Sequence, residues 1–165
     1  MVSLLFFDCE FTDLSSSASL ISAGFITQSG DSFYAELSDY EEASCNDFVK
    51  ATVLPLLSSP AISTADFLSA LTDWLSSRGE DFMFIADSDW DQMILTKTFV
   101  SVGMTIPKNW RFQKAPDNFA SGMQRNLFND EIAAFFLRHR DQKQHHALTD
   151  ACAIRSAYLR AASGY

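Results

Sequence analysis

The sequence VSLLFF at residues 2–7 begins a series of three strand-like segments that decides the fold. The other two segments are SLISAGFIT at residues 19–27 and SFYAEL at residues 32–37. The first segment is an apolar run, which is typical of a strand buried on both faces. The residues QSGD at 28–31 are a turn signal, which predicts a hairpin between the second and third segments. We therefore expect the chain to begin with three mutually antiparallel strands.

Two further strands alternate with helical patterns in the rest of the chain. Short apolar runs predict strands at residues 82–86 and 110–113, and Asp117 is the predicted N-cap of the helix after the last strand. Other helical patterns lie at about residues 46–57, 63–78, 89–102, 130–138 and 148–162. This order predicts one α/β domain over residues 1–165, with a mixed five-stranded sheet flanked by helices.

The composition is that of a folded globular domain. Of the 165 residues, 47% are hydrophobic and 20% are charged. The first residues lack the basic flank of a signal peptide, and no stretch approaches the ~20 apolar residues that span a bilayer. Three widely spaced cysteines, an odd number, argue against a disulfide framework or a zinc site. We expect a cytoplasmic protein with no membrane partner.

The net charge of −9 conceals an asymmetry between the two parts of the chain. Residues 1–96 carry sixteen acidic and two basic side chains, whereas residues 97–165 carry five acidic and ten basic side chains. The first part is acidic enough to bind cations, and the second has the basic groups that phosphates require. Ordinary surface charge is the alternative explanation. An acidic total therefore does not exclude a nucleic-acid partner.

Asp8 and Glu10 are the first candidates for a functional site. They are two residues apart at the end of the first strand, so their side chains leave from the same face. Two neighbouring carboxylates at the end of a buried strand repel each other and are costly to remove from water. A cation between them offsets both costs. The pair therefore indicates either a cation site or a solvated strand end.

Three more candidates lie at the ends of predicted elements. Asp91 follows the strand at residues 82–86, at a junction where α/β proteins place ligands, although an acid there also stabilises a helix N-terminus. Asp150 lies in the first turn of the last helix, and His145 lies in the loop before it. Asp150 can bind a metal ion, and His145 can accept a proton near neutral pH. A surface histidine and a helix-capping acid are the alternatives.

Three motifs together resemble the DEDDh exonucleases of the ribonuclease H-like superfamily, most closely the small bacterial 3′–5′ exoribonucleases. They are FFDCEFTDL at residues 6–14, DSDWDQMIL at 87–95 and HHALTDACAIRSAYL at 145–159. Asp8 and Glu10 match the Asp-x-Glu motif of the family, and Asp91 matches the Asp that follows an aromatic residue. His145, rather than His146, has the separation from Asp150 that the family shows. The sequence departs from the family at residue 87, an aspartate where an asparagine is common.

The resemblance implies a ribonuclease H-like three-layer fold and a two-metal hydrolase. Two Mg²⁺ or Mn²⁺ ions would be held by four carboxylates, and His145 would be the general base. The substrate would be single-stranded RNA, shortened from its 3′ end to nucleoside 5′-monophosphates. Phe11, Thr12 and Leu14 would pack around the terminal base or sugar, with core packing as the alternative role of Phe11. The four carboxylates are those of Asp8, Glu10, Asp91 and Asp150.

Several alternatives stay open at the level of sequence. The same chemistry serves for single-stranded DNA or for a proofreading-type subunit of a polymerase. A different alternative is a catalytically inactive ribonuclease H-like module that binds nucleic acid or another protein. A homodimer is compatible with the apolar residues of the last helices. Candidates for phosphate contacts are Lys108, Arg111, Lys114 and Arg125.

Overall fold

The computed structural model describes residues 2–79, 81–117 and 119–163. Its strands are β1 (Val2–Phe11), β2 (Leu20–Thr27), β3 (Ser32–Glu36), β4 (Asp81–Ala86) and β5 (Trp110–Lys114). They form a sheet of order β3-β2-β1-β4-β5. β1 and β3 are antiparallel to β2, whereas β4 is parallel to both β1 and β5. The predicted α/β class and mixed five-stranded sheet, with its first three strands antiparallel, are confirmed.

Four of the helices have a polar side chain as their N-cap. The helices are α1 (Asp47–Thr52), α2 (Thr64–Ser76), α3 (Asp89–Ser101), α4 (Gly122–Arg138) and α5 (Ala147–Ser163). The side chains of Asn46, Ser63, Ser88 and Ser121 each accept a hydrogen bond from an amide in the first turn of α1 to α4, in that order. Among the residues that the structure describes, no helix combines the length and the apolar character needed to cross a bilayer.

Each face of the sheet has its own apolar core, because successive residues of a strand point to opposite faces. Leu5 and Phe7 of β1 lie in a core with Phe67 of α2 and Leu95 of α3. Phe6 lies in a second core, which includes buried residues of α4 and α5. Helices therefore cover both faces of the sheet, and the even-numbered residues of β1 face α5.

β1 continues past the apolar run at residues 2–7 and ends at Phe11, one residue after Glu10. β2 pairs with this extension, with Asp8 opposite Gly24 and Phe11 opposite Leu20. Backbone pairing with β2 therefore keeps the chain extended beyond the apolar run. As a result, Asp8 and Glu10 lie within the strand.

Two helix predictions are corrected by the structure. α1 ends at Thr52 rather than near residue 57, because Pro55 has no amide hydrogen with which to continue the helix, and a short 3-10 turn follows. Asp117 does not cap the next helix, since its carboxylate lies 3.3 Å from the Lys114 amine.

The cap of α4 is Ser121, four residues after the predicted one. Its side chain accepts a hydrogen bond from the Gln124 amide, and the Gln124 side chain accepts one from the Ser121 amide. This reciprocal pair starts the helix at Gly122, eight residues before the predicted segment at 130–138.

Candidate metal centre

Asp8 and Glu10 lie at the point where β1 loses one of its two neighbours. β4 pairs with β1 only as far as Phe6, whereas β2 pairs with it to the end of the strand. Since even-numbered residues of β1 face α5, both carboxylates point to the side of the sheet that α5 covers. Both carboxylates therefore lie in a gap between the end of β1 and the neighbouring helices.

Asp91 is fixed in this gap by a hydrogen bond to β1. The amide of Cys9, beyond the last residue that pairs with β4, donates to Asp91 Oδ1 at 3.0 Å. Asp91 is buried in the first turn of α3, whose N-terminus is capped by Ser88. At Cys9, the Asp91 carboxylate thus takes the place of β4 as the hydrogen-bond acceptor of β1. This contact holds the start of α3 against β1, beside Asp8 and Glu10.

Asp150 reaches the same gap because α5 approaches the sheet closely at Gly24. A Cβ atom on Gly24 would lie 2.3 Å from the Cα of Leu148 and 2.5 Å from the carbonyl carbon of Ala147. Gly24 is the residue opposite Asp8 in the pairing of β1 with β2. The absence of a side chain at Gly24 therefore lets the first turn of α5 lie against β2, next to Asp8.

His145 precedes α5 in a left-handed conformation, with φ of 65°. Its amide donates to Asp150 Oδ2 at 2.8 Å, which ties the histidine backbone to the carboxylate. The His145 ring also meets the ring of Phe48 edge-on, with centroids 5.0 Å apart. His145 is thus held beside Asp150, as the spacing of the motif predicted.

The structure brings all five predicted site residues together, in two groups of potential metal ligands. One group contains Glu10, His145 and Asp150, and the other contains Asp8, Asp87 and Asp91. In each group the ligand atoms lie within 4.8 Å of one another. We call the five acids of these groups the carboxylate cluster.

Asp87 is the member of the carboxylate cluster that the sequence analysis did not assign to the site. It lies just past the end of β4 and is the most exposed of the five acids. Met83 and Ile85 of β4 pack into the core beside α5, so a residue two positions after Ile85 continues the same face. Strand alternation is therefore the signal that would have included Asp87.

The carboxylate cluster is electrostatically strained because its acids are desolvated together. Burial raises the pKa of Glu10 to about 8, and repulsion from Asp150 and Asp91 adds to the shift. Burial raises the pKa of Asp150 to about 7, against the hydrogen bond from the His145 amide. Burial, followed by repulsion from Asp91, also raises the pKa of Asp8 well above its usual range.

The chemistry of the donor set fits divalent cations. Within residues 2–79, 81–117 and 119–163, no lysine or arginine forms a salt bridge with the carboxylate cluster. Buried acids without a basic partner are costly unless a proton or a metal ion neutralises them. Carboxylate oxygens are the ligands that suit hard ions such as Mg²⁺ and Mn²⁺, and they leave the His145 imidazole free to accept a proton. The residues present therefore fit the two-metal site that the motifs imply.

Two neighbouring cavities extend from the carboxylate cluster. The first, of about 250 Å³, contains the cluster and is bordered by Phe11, Leu14 and Trp90. The second, which we call the side pocket, has about 230 Å³ and a mainly apolar lining that includes Phe11, Leu14 and Phe48 together with Glu10. Glu10, Phe11 and Leu14 border both cavities, so the side pocket is continuous with the cluster.

The predicted substrate residues differ in their placement. Leu14 is exposed at the edge of both cavities, with 65% of its surface accessible. Phe11 borders both as well, but it also packs on the first core and stacks on Trp90 with centroids 6.4 Å apart. Thr12 is buried, and its hydroxyl accepts a hydrogen bond from the Ser19 amide at 3.0 Å. Phe48, which sequence reasoning missed, supplies the opposite wall of the side pocket.

The four basic residues that are candidates for phosphate contacts differ in the protein contacts of their side chains. Lys114 lies 3.0 Å from the Asp89 carboxylate, and Arg125 donates to the carbonyl oxygen of Phe119 at 3.1 Å. Lys108 and Arg111 have exposed side chains.

Comparison with known proteins adds no family assignment. No protein-family model matches this chain, and no curated protein matches it. The motifs and the geometry of the carboxylate cluster are therefore the features of the chain that indicate its function.

Proposed function

We propose that this protein is a metal-dependent 3′–5′ exonuclease of the DEDDh type, acting on single-stranded RNA. The observation that carries the proposal is the convergence of Asp8, Glu10, Asp91 and Asp150 with His145, without a basic partner among the described residues. The mixed sheet with helices on both faces supports a ribonuclease H-like fold for the domain. The order of these residues along the chain is that of the motifs they resemble.

The two groups of carboxylates would hold the divalent cations, and the cations in turn would bind the substrate phosphate. Two divalent cations, when bound, would supply activation of water and stabilisation of charge on the leaving oxygen. Glu10 and Asp150 lie beside His145, whereas Asp8 and Asp91 lie in the other group of ligands. A phosphate held between the two groups would have His145 on one side.

His145 accepts the proton of the attacking water in this proposal. The water oxygen forms a bond to the terminal phosphorus, and the bond from phosphorus to the 3′ oxygen of the preceding nucleotide breaks. That oxygen takes a proton from solvent, and His145 releases the proton it accepted to solvent. The product is a nucleoside 5′-monophosphate. A general base must lie within hydrogen-bond reach of its proton, and the tie between the His145 amide and Asp150 holds the histidine beside the cluster.

The side pocket is suited to a substrate whose terminal base is unpaired. Phe48 and Leu14 present exposed apolar surface next to Glu10. Contact of a base with an aromatic ring contributes about 1–3 kcal/mol and tolerates different bases. A paired base cannot enter such a pocket without leaving its partner, so a single-stranded 3′ end is favoured.

The test uses 5′-labelled single-stranded RNA and DNA of the same sequence, with Mg²⁺, Mn²⁺ or EDTA. We expect progressive shortening from the 3′ end with metal, none in EDTA, and none with Asp8→Ala or Asp150→Ala. His145→Ala should be slower by a factor of about 10²–10⁴. Asp89→Ala is the matched control, because Asp89 is a nearby acid of α3 that pairs with Lys114 outside the cluster.

The outcomes separate the alternatives. Faster hydrolysis of DNA would replace RNA as the substrate and would favour a proofreading-type enzyme. Oligonucleotide binding without hydrolysis with either metal would identify a nucleic-acid-binding module instead. Cleavage that persists in Asp8→Ala would show that the carboxylate cluster is not the active site.

A further inference from the structure

His146 lies next to the proposed general base but belongs to neither group of metal ligands. Its ring instead stacks on Tyr34 of β3, with centroids 4.6 Å apart and planes inclined by 23°. Its Nδ1 atom lies 3.5 Å from the Thr149 hydroxyl, a long distance for a hydrogen bond. The stack on Tyr34 is thus a close contact that ties the His146 ring to β3.

Tyr34 is itself anchored in the interior. Its hydroxyl donates to Glu36 Oε1 at 2.9 Å. Glu36 is buried, and the same oxygen accepts hydrogen bonds from the amides of Ser58 and Ser59 at 2.9 and 3.0 Å. The ring of Tyr34 thus offers His146 a surface that is fixed to β3 and to the segment before α2.

The contact of His146 with Tyr34 lies next to the unusual backbone conformation of His145. Its φ of 65° is a conformation that non-glycine residues rarely adopt, so neighbouring contacts must hold it. Residues 140–144, which precede it, are all exposed. On the other side, the carbonyl of His146 accepts a hydrogen bond from the Asp150 amide at 3.0 Å, and the His145 amide donates to the Asp150 carboxylate. His146 is therefore the anchored end of the turn.

We propose that Tyr34 and His146 form an aromatic clamp that positions His145 for proton transfer. The proposal rests on the proposed function, since it assigns His145 the role of general base. Neither residue touches the reacting atoms; the clamp acts by holding the left-handed turn in place. Misplacement of a catalytic group by about 1 Å can reduce a rate about 10²-fold, so loss of the clamp should be visible in kcat.

The kinetic test compares His146→Ala with His146→Phe. We expect His146→Ala to lower kcat at least about tenfold with unchanged KM, and His146→Phe to restore most of the rate because it can stack on Tyr34. Tyr34→Leu should cause a similar loss, and the double variant should lose no more than either single variant. Additive losses, or a His146→Phe variant as slow as His146→Ala, would overturn the clamp.

A second readout does not depend on catalysis. Hydrogen exchange of the His145 amide should be at least about tenfold faster in His146→Ala than in the unchanged protein. The control is His139→Ala, since the His139 ring also packs against an aromatic ring, that of Phe135, with centroids 4.3 Å apart. Unchanged exchange in His146→Ala, or an equal change in His139→Ala, would contradict the proposal. If the unchanged protein degrades no oligonucleotide, the proposed function fails, and hydrogen exchange still decides whether the clamp holds His145.

Discussion

Replacing Gly24 by alanine should separate α5 from the sheet. The new Cβ would lie 2.3 Å from both the Cα and the nitrogen of Leu148, atoms of the backbone that cannot rotate away. An ordinary contact needs at least 3.4 Å, so the first turn of α5 must move by about 1 Å. Since Asp150 lies in that turn and His145 lies just before it, we expect kcat to fall about 10²-fold.

The same substitution should destabilise the protein. Overpacking of a close contact costs about 1–3 kcal/mol, which lowers the Tm of a protein of this size by about 2–4 °C for each kcal/mol. The assays are oligonucleotide hydrolysis with Mn²⁺ and thermal unfolding followed by circular dichroism. Gly122→Ala is the control, because a Cβ there meets no atom within 4 Å and should leave both measurements nearly unchanged. A Gly24→Ala protein with the original rate and Tm would refute the close approach of α5.

Three further predictions follow from the charges and cavities of the site. Because burial raises the pKa of Glu10 to about 8 and of Asp150 to about 7, the metal-free folded protein binds more protons than the unfolded chain at intermediate pH. Its unfolding free energy in EDTA, measured by urea titration, should therefore fall as pH rises from about 4.5 to about 8. Saturating Mg²⁺ should reduce this dependence on pH. A rise of the unfolding free energy over that pH range would contradict the raised pKa values. Asp87→Asn should weaken Mn²⁺ binding in calorimetry at least about tenfold, whereas Asp89→Asn should not, and equal effects would place Asp87 outside the cluster. Leu14→Ala should raise KM for a short RNA about tenfold with little change in kcat, and a change confined to kcat would show that Leu14 does not bind substrate.

Local patterns predicted most of the elements and the spacing of the acids. Two-residue spacing on a strand was sufficient to place Asp8 and Glu10 on one face, and turn and apolar signals identified the antiparallel start of the sheet. The errors arose where local signals competed. An aspartate at residue 117 and a serine at residue 121 are both good helix caps, and only Ser121 has Gln124 three residues later to complete a capping box.

The sequence did not reveal contacts between distant segments. Nothing local to Gly24 indicates that Leu148 lies against it, because the two residues are more than 120 positions apart in the chain. Phe48 likewise reads as an ordinary residue of a short helix, and only the tertiary structure places its ring at the side pocket and against His145. Prediction from pattern ends where a site is assembled by the packing of separate elements.

Three departures from ordinary local preference meet where α5 joins the sheet. A glycine lies in the interior of β2, a histidine adopts positive φ, and several acids share a desolvated space. Each of these costs stability by itself: the glycine loses backbone entropy, the histidine is in a rare conformation, and the acids repel one another. The rest of the fold, with an apolar core on each face of the sheet, stabilises the protein enough to tolerate a few such unfavourable features. Their concentration at one junction, contributed by several elements, is the pattern expected of a functional site, and it includes the five residues of the motifs that resemble exonucleases.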